Sequence, residues 1–212
     1  MADAEIVNLD AVRAQCARGI SFGWHSLGLD GDARDHASRL ARLGLHPIAL
    51  HGINEHGECT CGDKHEDHDG RRKARGKHPL QPKWQSLKLD NGYLEAVLLR
   101  DWHFNLGLRL GEQPNGWRLI ALDVDGDESL LEPLVAKWGP LPKTLTARTG
   151  SGGLHYIFRM PEGAAMPPNS ASKMAPHVDV RSAGGQVVVA PSKHYSGNRY
   201  RWTRCIEPAV LP

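Results

Sequence analysis

Two aspartates, Asp123 and Asp125, stand one residue apart at the end of the apolar run LIALDVDG. The run is typical of a buried strand, and residues i and i+2 of a strand face the same side. Two neighbouring carboxylates repel each other unless a cation lies between them, and Mg²⁺ and Mn²⁺ prefer such oxygen ligands. The spacing therefore indicates a divalent-metal site, although an acidic turn after a strand has the same pattern.

Two downstream segments offer groups that would complete such a site. In TGSGGLHYIF, His155 follows a glycine-rich turn in which Ser151 and Gly152 offer hydroxyl and backbone N–H donors to an anion. In HVDVRS, Asp179 and Arg181 share one strand face by the same alternation. A guanidinium also matches a phosphate bidentately. Each segment alone is equally typical of ordinary strand residues.

The acidic stretch has two other interpretations. A calcium loop fails, because Glu128 stands where that loop needs glycine and Leu134 stands where it needs glutamate. The stretch LDVDG also resembles the opening signature of haloacid-dehalogenase phosphatases, with Asp123 as the nucleophile. Such an enzyme needs a later lysine and a second acidic pair, and the acids after the following predicted helix form no pair. The phosphatase remains an alternative hypothesis.

A long polar loop is rich in potential metal ligands, namely Cys59, Cys61, His65, His68 and His78. Thiolates and imidazoles at this density favour Zn²⁺, which takes four tetrahedral ligands. A metal would tie down a loop with too little apolar content to fold alone. It would also fix the basic residues 71–77, which could grip nucleic-acid or nucleotide phosphates. The alternative is a histidine-rich loop without metal.

The elements expected to carry these residues predict a mixed α/β or α+β chain. Helices are expected over residues 12–18, 32–44, 90–101 and 129–138, the second with Asp32 as its N-cap. Strands are expected over 46–50, 104–111, 117–125, 144–149, 153–160, 177–182, 185–192 and 199–203. Residues 160–176 hold four prolines and are expected to form a loop.

Composition restricts the class of protein. The 212 residues suit one large domain or a core domain with an appendage. No apolar run approaches the roughly 20 residues of a membrane span, and the N-terminus lacks a signal core, so we expect a cytoplasmic location. Basic residues dominate 71–88 and 143–204, with the acidic residues between them. This pattern suits a site for metals and a polyanion, although a solvated charged surface would have the same composition.

The order of the motifs resembles the bifunctional primase–polymerase domains of the archaeo-eukaryotic primase superfamily, found in plasmid and phage replication proteins. Besides the acidic pair, the histidine strand and HVDVRSAGGQVVVAPS, the resemblance rests on ARLGLHPIAL, GKHPLQPKW and NLGLRLG. It covers residues 32–203. It implies a catalytic core with an RRM-like antiparallel or mixed sheet flanked by helices. The implied activity is template-dependent nucleotidyl transfer, that is, DNA primase and DNA polymerase activity with NTPs or dNTPs.

The same resemblance implies roles for individual residues. Asp123, Asp125 and Asp179 would bind two Mg²⁺ or Mn²⁺ ions, and His155 would act with them by contacting the phosphates of the incoming nucleotide. Two metals suit this chemistry because the attacking hydroxyl and the leaving pyrophosphate both need stabilisation. The full expected nucleotide-binding set is Arg148, Ser151, Gly152, His155, Arg181, Lys77 and Lys193. Asp127 precedes a predicted helix and is expected to cap it.

Some relatives carry three cysteines and the histidine of GKHP in the loop. This implies structural Zn²⁺ on Cys59, Cys61, His68 and His78, with His65 as the alternative third ligand. The expected organisation is an N-terminal helical extension over 1–31 and a catalytic domain over 32–212, with 51–82 as an inserted zinc-binding basic loop. Expected partners are a single-stranded DNA template, a primer, nucleotides, and a helicase domain or partner. A non-catalytic DNA-binding module with a primase-like fold is the remaining alternative.

Overall fold

The structure is a computed structural model that describes residues 23–62, 74–90, 93 and 104–212. The predicted helix over 12–18 lies outside these residues, and the one over 90–101 lies almost wholly outside them. Within the described residues, no helix has both the length and the apolar character needed to cross a bilayer.

The first α-helix among the described residues, α1 (Ala33–Arg42), begins where the sequence predicts. Asp32 caps it, because its Oδ1 accepts the backbone N–H groups of Arg34 and Asp35 at 2.7 and 3.1 Å. The Asp35 carboxylate accepts the N–H of Asp32 in return, at 3.0 Å, which completes a capping box. The chain turns away at Gly44, whose φ of 73° is one that glycine adopts without strain.

All strand pairs in the described part of the chain are antiparallel. A small sheet has the order β1-β2-β9, formed by β1 (Pro47–Leu50), β2 (Asn105–Arg109) and β9 (Gln186–Val189). A larger sheet contains β3 (Gly111–Glu112), β4 (Arg118–Val124), β5 (Leu145–Arg148), β6 (Leu154–Arg159), β7 (Ser170–Ala175), β8 (Val178–Arg181) and β10 (Arg201–Arg204). Its order is β10-β5-β6-β4-β8-β7, with β3 paired to β4. The chain is therefore α+β with antiparallel sheets, as predicted. The finer RRM-like arrangement stays a prediction.

The central strand β4 is buried on both faces, which explains its unbroken apolar run. Leu119 and Ala121 belong to a core cluster that also includes residues of α1 and of the small sheet. Ile120 and Val124 belong to a second cluster on the opposite face. By alternation, Asp123 shares the face of Leu119 and Ala121 and lies near the carboxyl end of the strand.

The expectation of a loop over 160–176 is wrong for its last part. Ser170–Ala175 forms β7 at the edge of the larger sheet and pairs with β8. The pairing is interrupted between Ser170 and Ala175, and Ser172 has a φ of 50°. The four residues between the two ends of β7 are exposed, so no alternation of apolar and polar residues marks the strand.

Short helices flank these elements, including a 3-10 helix at Trp84–Ser86. The 3-10 helix Trp24–Gly28 lies within the predicted N-terminal extension, and its Leu27 is buried in the first core cluster. The 3-10 helix Glu128–Leu131 leads directly into α2 (Glu132–Trp138) after β4, as the sequence predicts. The division of the chain at residue 32 stays a prediction.

Candidate active site and Cys/His cluster

Three predicted site residues lie side by side on adjacent strands of the larger sheet. Asp123 of β4 is the register partner of His155 on β6 and of Asp179 on β8. Directly opposite residues of an antiparallel pair have Cβ atoms roughly 5 Å apart and face the same side. Strand pairing alone therefore brings together side chains that are far apart in the chain.

The contacts among these side chains are polar and charged. Nε2 of His155 lies 3.2 Å from Oδ1 of Asp123. Arg181, two residues after Asp179, places Nη2 at 2.8 Å from Asp179 Oδ2 and Nε at 3.4 Å from Asp123 Oδ2. One guanidinium thus bridges the carboxylates of Asp123 and Asp179, and its positive charge stabilises both anions.

Asp123 is held in its ionised form by its surroundings. Its side chain is only 17% exposed, and burial alone would raise the pKa of its carboxyl. The charge and the hydrogen bond of His155 oppose this effect, as do the charges of Arg181 and Lys77, and the pKa falls to about 2. The carboxylate is therefore available as an anionic ligand at neutral pH.

Asp125 and Asp127 follow the strand and have different surroundings. Asp125 is exposed, and its backbone N–H donates to the carbonyl of His177 at 2.9 Å. Burial raises the pKa of the Tyr200 hydroxyl, and the charges of Asp123 and Asp125 raise it further, so Tyr200 lies within their field. Asp127 accepts the Ser129 N–H at 2.9 Å and caps the 3-10 helix, which confirms the predicted capping role.

The glycine-rich turn between β5 and β6 packs against the end of β4. A Cβ on Gly153 would lie 2.3 Å from the carbonyl oxygen of Val124, so only glycine fits this approach. Ser151 and Gly152 are exposed at the tip of the turn, where the Ser151 hydroxyl lies 2.9 Å from that of Thr149. The turn with its predicted anion donors is therefore adjacent to the acidic segment.

The predicted cations are not all brought to one place. Lys77 lies close enough for its charge to lower the pKa of Asp123. Arg148 pairs in register with Leu154 and so lies on the sheet face opposite His155, where its Nη1 donates to the Gly152 carbonyl at 3.1 Å. The structure does not bring Arg148 together with the acids.

A cavity of about 970 Å³ lies beside this centre. Tyr200 and Lys193 line it, and the ring of Tyr200 lies 6.1 Å from that of His155. The other cations at its wall are Arg34, Arg199 and Arg201, and the aspartates Asp30 and Asp32 line it as well. No motif in the sequence pointed to this cavity, because its walls come from four separate segments.

The predicted zinc loop holds a real cluster of ligands. Ligand atoms of Cys59, Cys61 and His78 all lie within 4.8 Å of one another. Among the described residues this is the only such group of three; Asp123, Asp125 and Asp179 do not converge as closely. Three soft or imidazole ligands fit Zn²⁺, which needs a fourth. Both predicted candidates for it, His65 and His68, lie outside the described residues.

Bridges between short segments shape this cluster. Ile53 and Cys59 form an isolated β-bridge, and a second bridge joins Leu50 to Pro79, next to His78. The backbone N–H of Gly76 donates to Sγ of Cys59 at 3.3 Å. The cluster therefore contacts the residue that precedes Lys77.

One comparison with known proteins identifies a family. A family model described as "Bifunctional DNA primase/polymerase, N-terminal" matches residues 21–212, nearly the whole chain. The match confirms the resemblance expected from the motifs. No curated protein matches the chain significantly.

Proposed function

Because the chain belongs to the bifunctional DNA primase/polymerase family, we propose that it joins NTPs or dNTPs on a single-stranded DNA template. Membership supports a primase- or polymerase-type nucleotidyltransferase in general. The observation that carries the specific proposal is the register of Asp123 with both His155 and Asp179. It favours nucleotidyl transfer over the phosphatase, because strand pairing places a histidine and a single aspartate beside Asp123, not the lysine and second acidic pair that the phosphatase needs.

Asp123, Asp125 and Asp179 are the residues that would hold Mg²⁺ or Mn²⁺. Their donors fit hard divalent cations, because they are carboxylate oxygens and two of them already share a cationic partner, Arg181. When bound, two such ions supply activation of a 3′-hydroxyl and neutralisation of the pyrophosphate leaving group. Arg181 contacts both carboxylates and has a planar donor set, so we assign it to substrate phosphates once these arrive.

His155 is suited to orienting the incoming nucleotide. The contact with Asp123 fixes its ring, and among the described residues its buried Nδ1 has no hydrogen-bond partner. Ser151 and Gly152 extend this anion site at the adjacent turn, with Lys77 contributing positive charge. Lys193 lies at the cavity wall instead. Arg148 faces away, so its position does not support a phosphate contact.

The cavity offers a path for a nucleic-acid strand to the acids. It combines four cations with the half-buried aromatic side chain of Trp202. Cations along a backbone and aromatic rings for stacking are the two features that single strands use. A primer or template strand there would approach Asp123 past Tyr200.

A structural metal in the Cys/His cluster completes the proposal. It would hold the segment of Gly76 and Lys77 by fixing Cys59 and His78 on either side. By the same family resemblance we propose a role in phage or plasmid replication, together with a helicase domain or partner.

The test is nucleotide incorporation by the purified protein. Primed and unprimed single-stranded DNA would be supplied with Mn²⁺ or Mg²⁺ and with labelled NTPs and dNTPs in separate reactions. We expect extension of primed templates with at least one nucleotide set. Absence of incorporation on every template, with both metals and both nucleotide sets, would overturn the proposal.

A further inference from the structure

Asn105, the first residue of β2, holds two distant segments together through one buried side chain. The residue is 3% exposed. Its Nδ2 donates to the carbonyl oxygens of Gly76 and Lys193, both at 2.8 Å. Its Oδ1 accepts the backbone N–H of Lys193, also at 2.8 Å. Both donors and the acceptor of the carboxamide are therefore engaged by backbone.

The first segment tied to Asn105 carries one of the proposed phosphate-binding cations. Gly76 is followed by Lys77, whose backbone carbonyl accepts a hydrogen bond from Nε2 of Gln186 on β9 at 3.0 Å. Gly76 has a φ of 69°, and a Cβ there would lie 2.8 Å from Asn105 Nδ2. The two residues are therefore in direct contact, so the position of Asn105 determines the position of the backbone at Gly76 and of Lys77 after it.

The second segment contacts the glycine-rich turn between β5 and β6. Lys193 is followed by His194, which packs so closely on Gly150 that a Cβ on this glycine would lie 2.2 Å from that of His194. The hydroxyl of Ser196 and the amide of Asn198 donate to the carbonyl of Gly150 at 3.2 and 3.1 Å. Residues 193–198 thus hold the turn that presents Ser151 and Gly152.

We propose that Asn105 is a positioning residue for nucleotide binding. It fixes the distance between the Lys77 segment and residues 193–198, which hold the glycine-rich turn between β5 and β6. It need not touch the substrate. Its effect is to keep one cation and one set of anion donors at the separation that a single triphosphate requires. This inference rests on the proposed nucleotidyltransferase function.

Replacing the carboxamide should disturb both segments together. Asn105→Asp keeps the size but turns a donor that serves two carbonyl oxygens into an acceptor, which repels them. Asn105→Ala leaves two backbone carbonyls and one N–H without their partner. Both changes act about one residue away from Lys77 and His194 and leave the three aspartates in place.

Gln113 provides a matched control in the same chain. It is 4% exposed, its Oε1 accepts the His46 N–H at 2.9 Å, and its Nε2 donates to the carbonyls of Arg109 and Gly111. Gln113→Ala therefore removes a buried amide with three backbone partners, but none of these partners adjoins a proposed phosphate-binding group. General destabilisation should be similar in both variants.

The experiment measures KM for the nucleoside triphosphate and kcat on a primed template, with melting temperatures for each variant. We expect Asn105→Asp and Asn105→Ala to raise KM about tenfold or more with kcat changed less than about threefold. Gln113→Ala should leave KM within about twofold of wild type. Equal KM values in the Asn105 and Gln113 variants, unchanged or raised alike, would overturn the inference.

A milder pair of changes keeps the inference testable if neither Asn105 variant folds. Ser196→Ala combined with Asn198→Ala removes the two donors to Gly150 at an exposed turn, and it should raise KM in the same direction by about threefold. An unchanged KM in this double variant would then overturn the inference. If wild type neither binds triphosphates nor incorporates them, the proposed function itself fails. If wild type is active and the Asn105 variants match it, only the positioning role fails.

Discussion

The acid centre and the Cys/His cluster are both candidate metal sites, but they rest on different kinds of backbone. Asp123, His155 and Asp179 stand on three paired strands, where the hydrogen-bond ladder sets their spacing. Cys59, Cys61 and His78 stand on short segments joined by isolated bridges. The first arrangement should keep its geometry without an ion, whereas the second should depend on one.

The difference extends to charge. At the acid centre the cation Arg181 and the histidine already stabilise the carboxylates. In the Cys/His cluster the Gly76 N–H is the hydrogen-bond donor assigned to Cys59, and a thiolate pair there would need a metal to be stable. Removing an ion should therefore affect catalysis at the first site and folding at the second.

The largest expected effect is on activity at the acid centre. Asp123→Asn should lower kcat by about a thousandfold or more, because it removes the carboxylate that is paired in register with both His155 and Asp179. The zinc content should change little, and the melting temperature should fall by only about 4–8 °C, because about 2 kcal/mol of stabilisation by the ionised carboxylate is lost. The measurement is single-nucleotide extension with metal analysis of the same sample. The control is Asp127→Asn in the turn that follows β4, and a comparable loss of activity in that variant would argue against a specific role of Asp123.

The next effect is on stability at the Cys/His cluster. Cys59→Ser, or treatment of wild type with a zinc chelator, should lower the free energy of unfolding by about 3 kcal/mol, or the melting temperature by about 10 °C. KM should rise as well, because Gly76 loses its contact with the cluster. Cys205→Ser removes a free thiol outside the cluster and serves as the control. One zinc per chain is expected in wild type and in the control, and a zinc-free wild type would contradict this prediction.

A smaller effect concerns pH at the acid centre. The pKa of Asp123 is lowered from 3.8 to about 2, so the native state favours its ionised form. The resulting stabilisation, about 2 kcal/mol, is present above about pH 4 and is lost as the pH falls towards 2. Urea unfolding of wild type and Asp123→Asn between pH 6 and 3 measures it. Parallel pH profiles for the two proteins would refute the assignment.

The smallest effect tests whether a divalent ion and Arg181 stabilise the same carboxylates. In Arg181→Ala the two carboxylates lose their shared cation, so Mn²⁺ should raise the melting temperature of this variant about 3 °C more than that of wild type. Arg148→Ala, on the opposite face, should respond as wild type does. Equal Mn²⁺ responses in all three proteins would show that the ion binds elsewhere or not at all.

Local patterns predicted most of the elements among the described residues and several pairs of residues. Alternation predicted that Asp179 and Arg181 share a face, and the two do form an ion pair at 2.8 Å. The capping signature of Asp32 predicted where α1 begins. Edge strand β7 was missed because its exposed residues lack the periodicity on which such predictions depend.

Other features could not be predicted locally because they depend on strand pairing. Arg148 stands next to the glycine turn in the sequence, and its register with Leu154 places it on the sheet face opposite His155. Its nucleotide contact stays a prediction. Asn105 has its Lys193 partner 88 positions away, and no local pattern reports such a contact. Tyr200 likewise could be placed near the acid centre only from the structure, because its ring lies 6.1 Å from that of His155.

The sequence by itself determined which chemical groups this protein has and which near neighbours share a face, because strand alternation and helix capping act over a few residues. It was also sufficient for the family, since the motifs occur in a recognisable order. The tertiary structure decided that Asp123 meets both His155 and Asp179, that Arg181 joins the two carboxylates, and that Asn105 ties two remote segments together. These features depend on strand order and register, and a shift of one residue would turn every side chain to the opposite face.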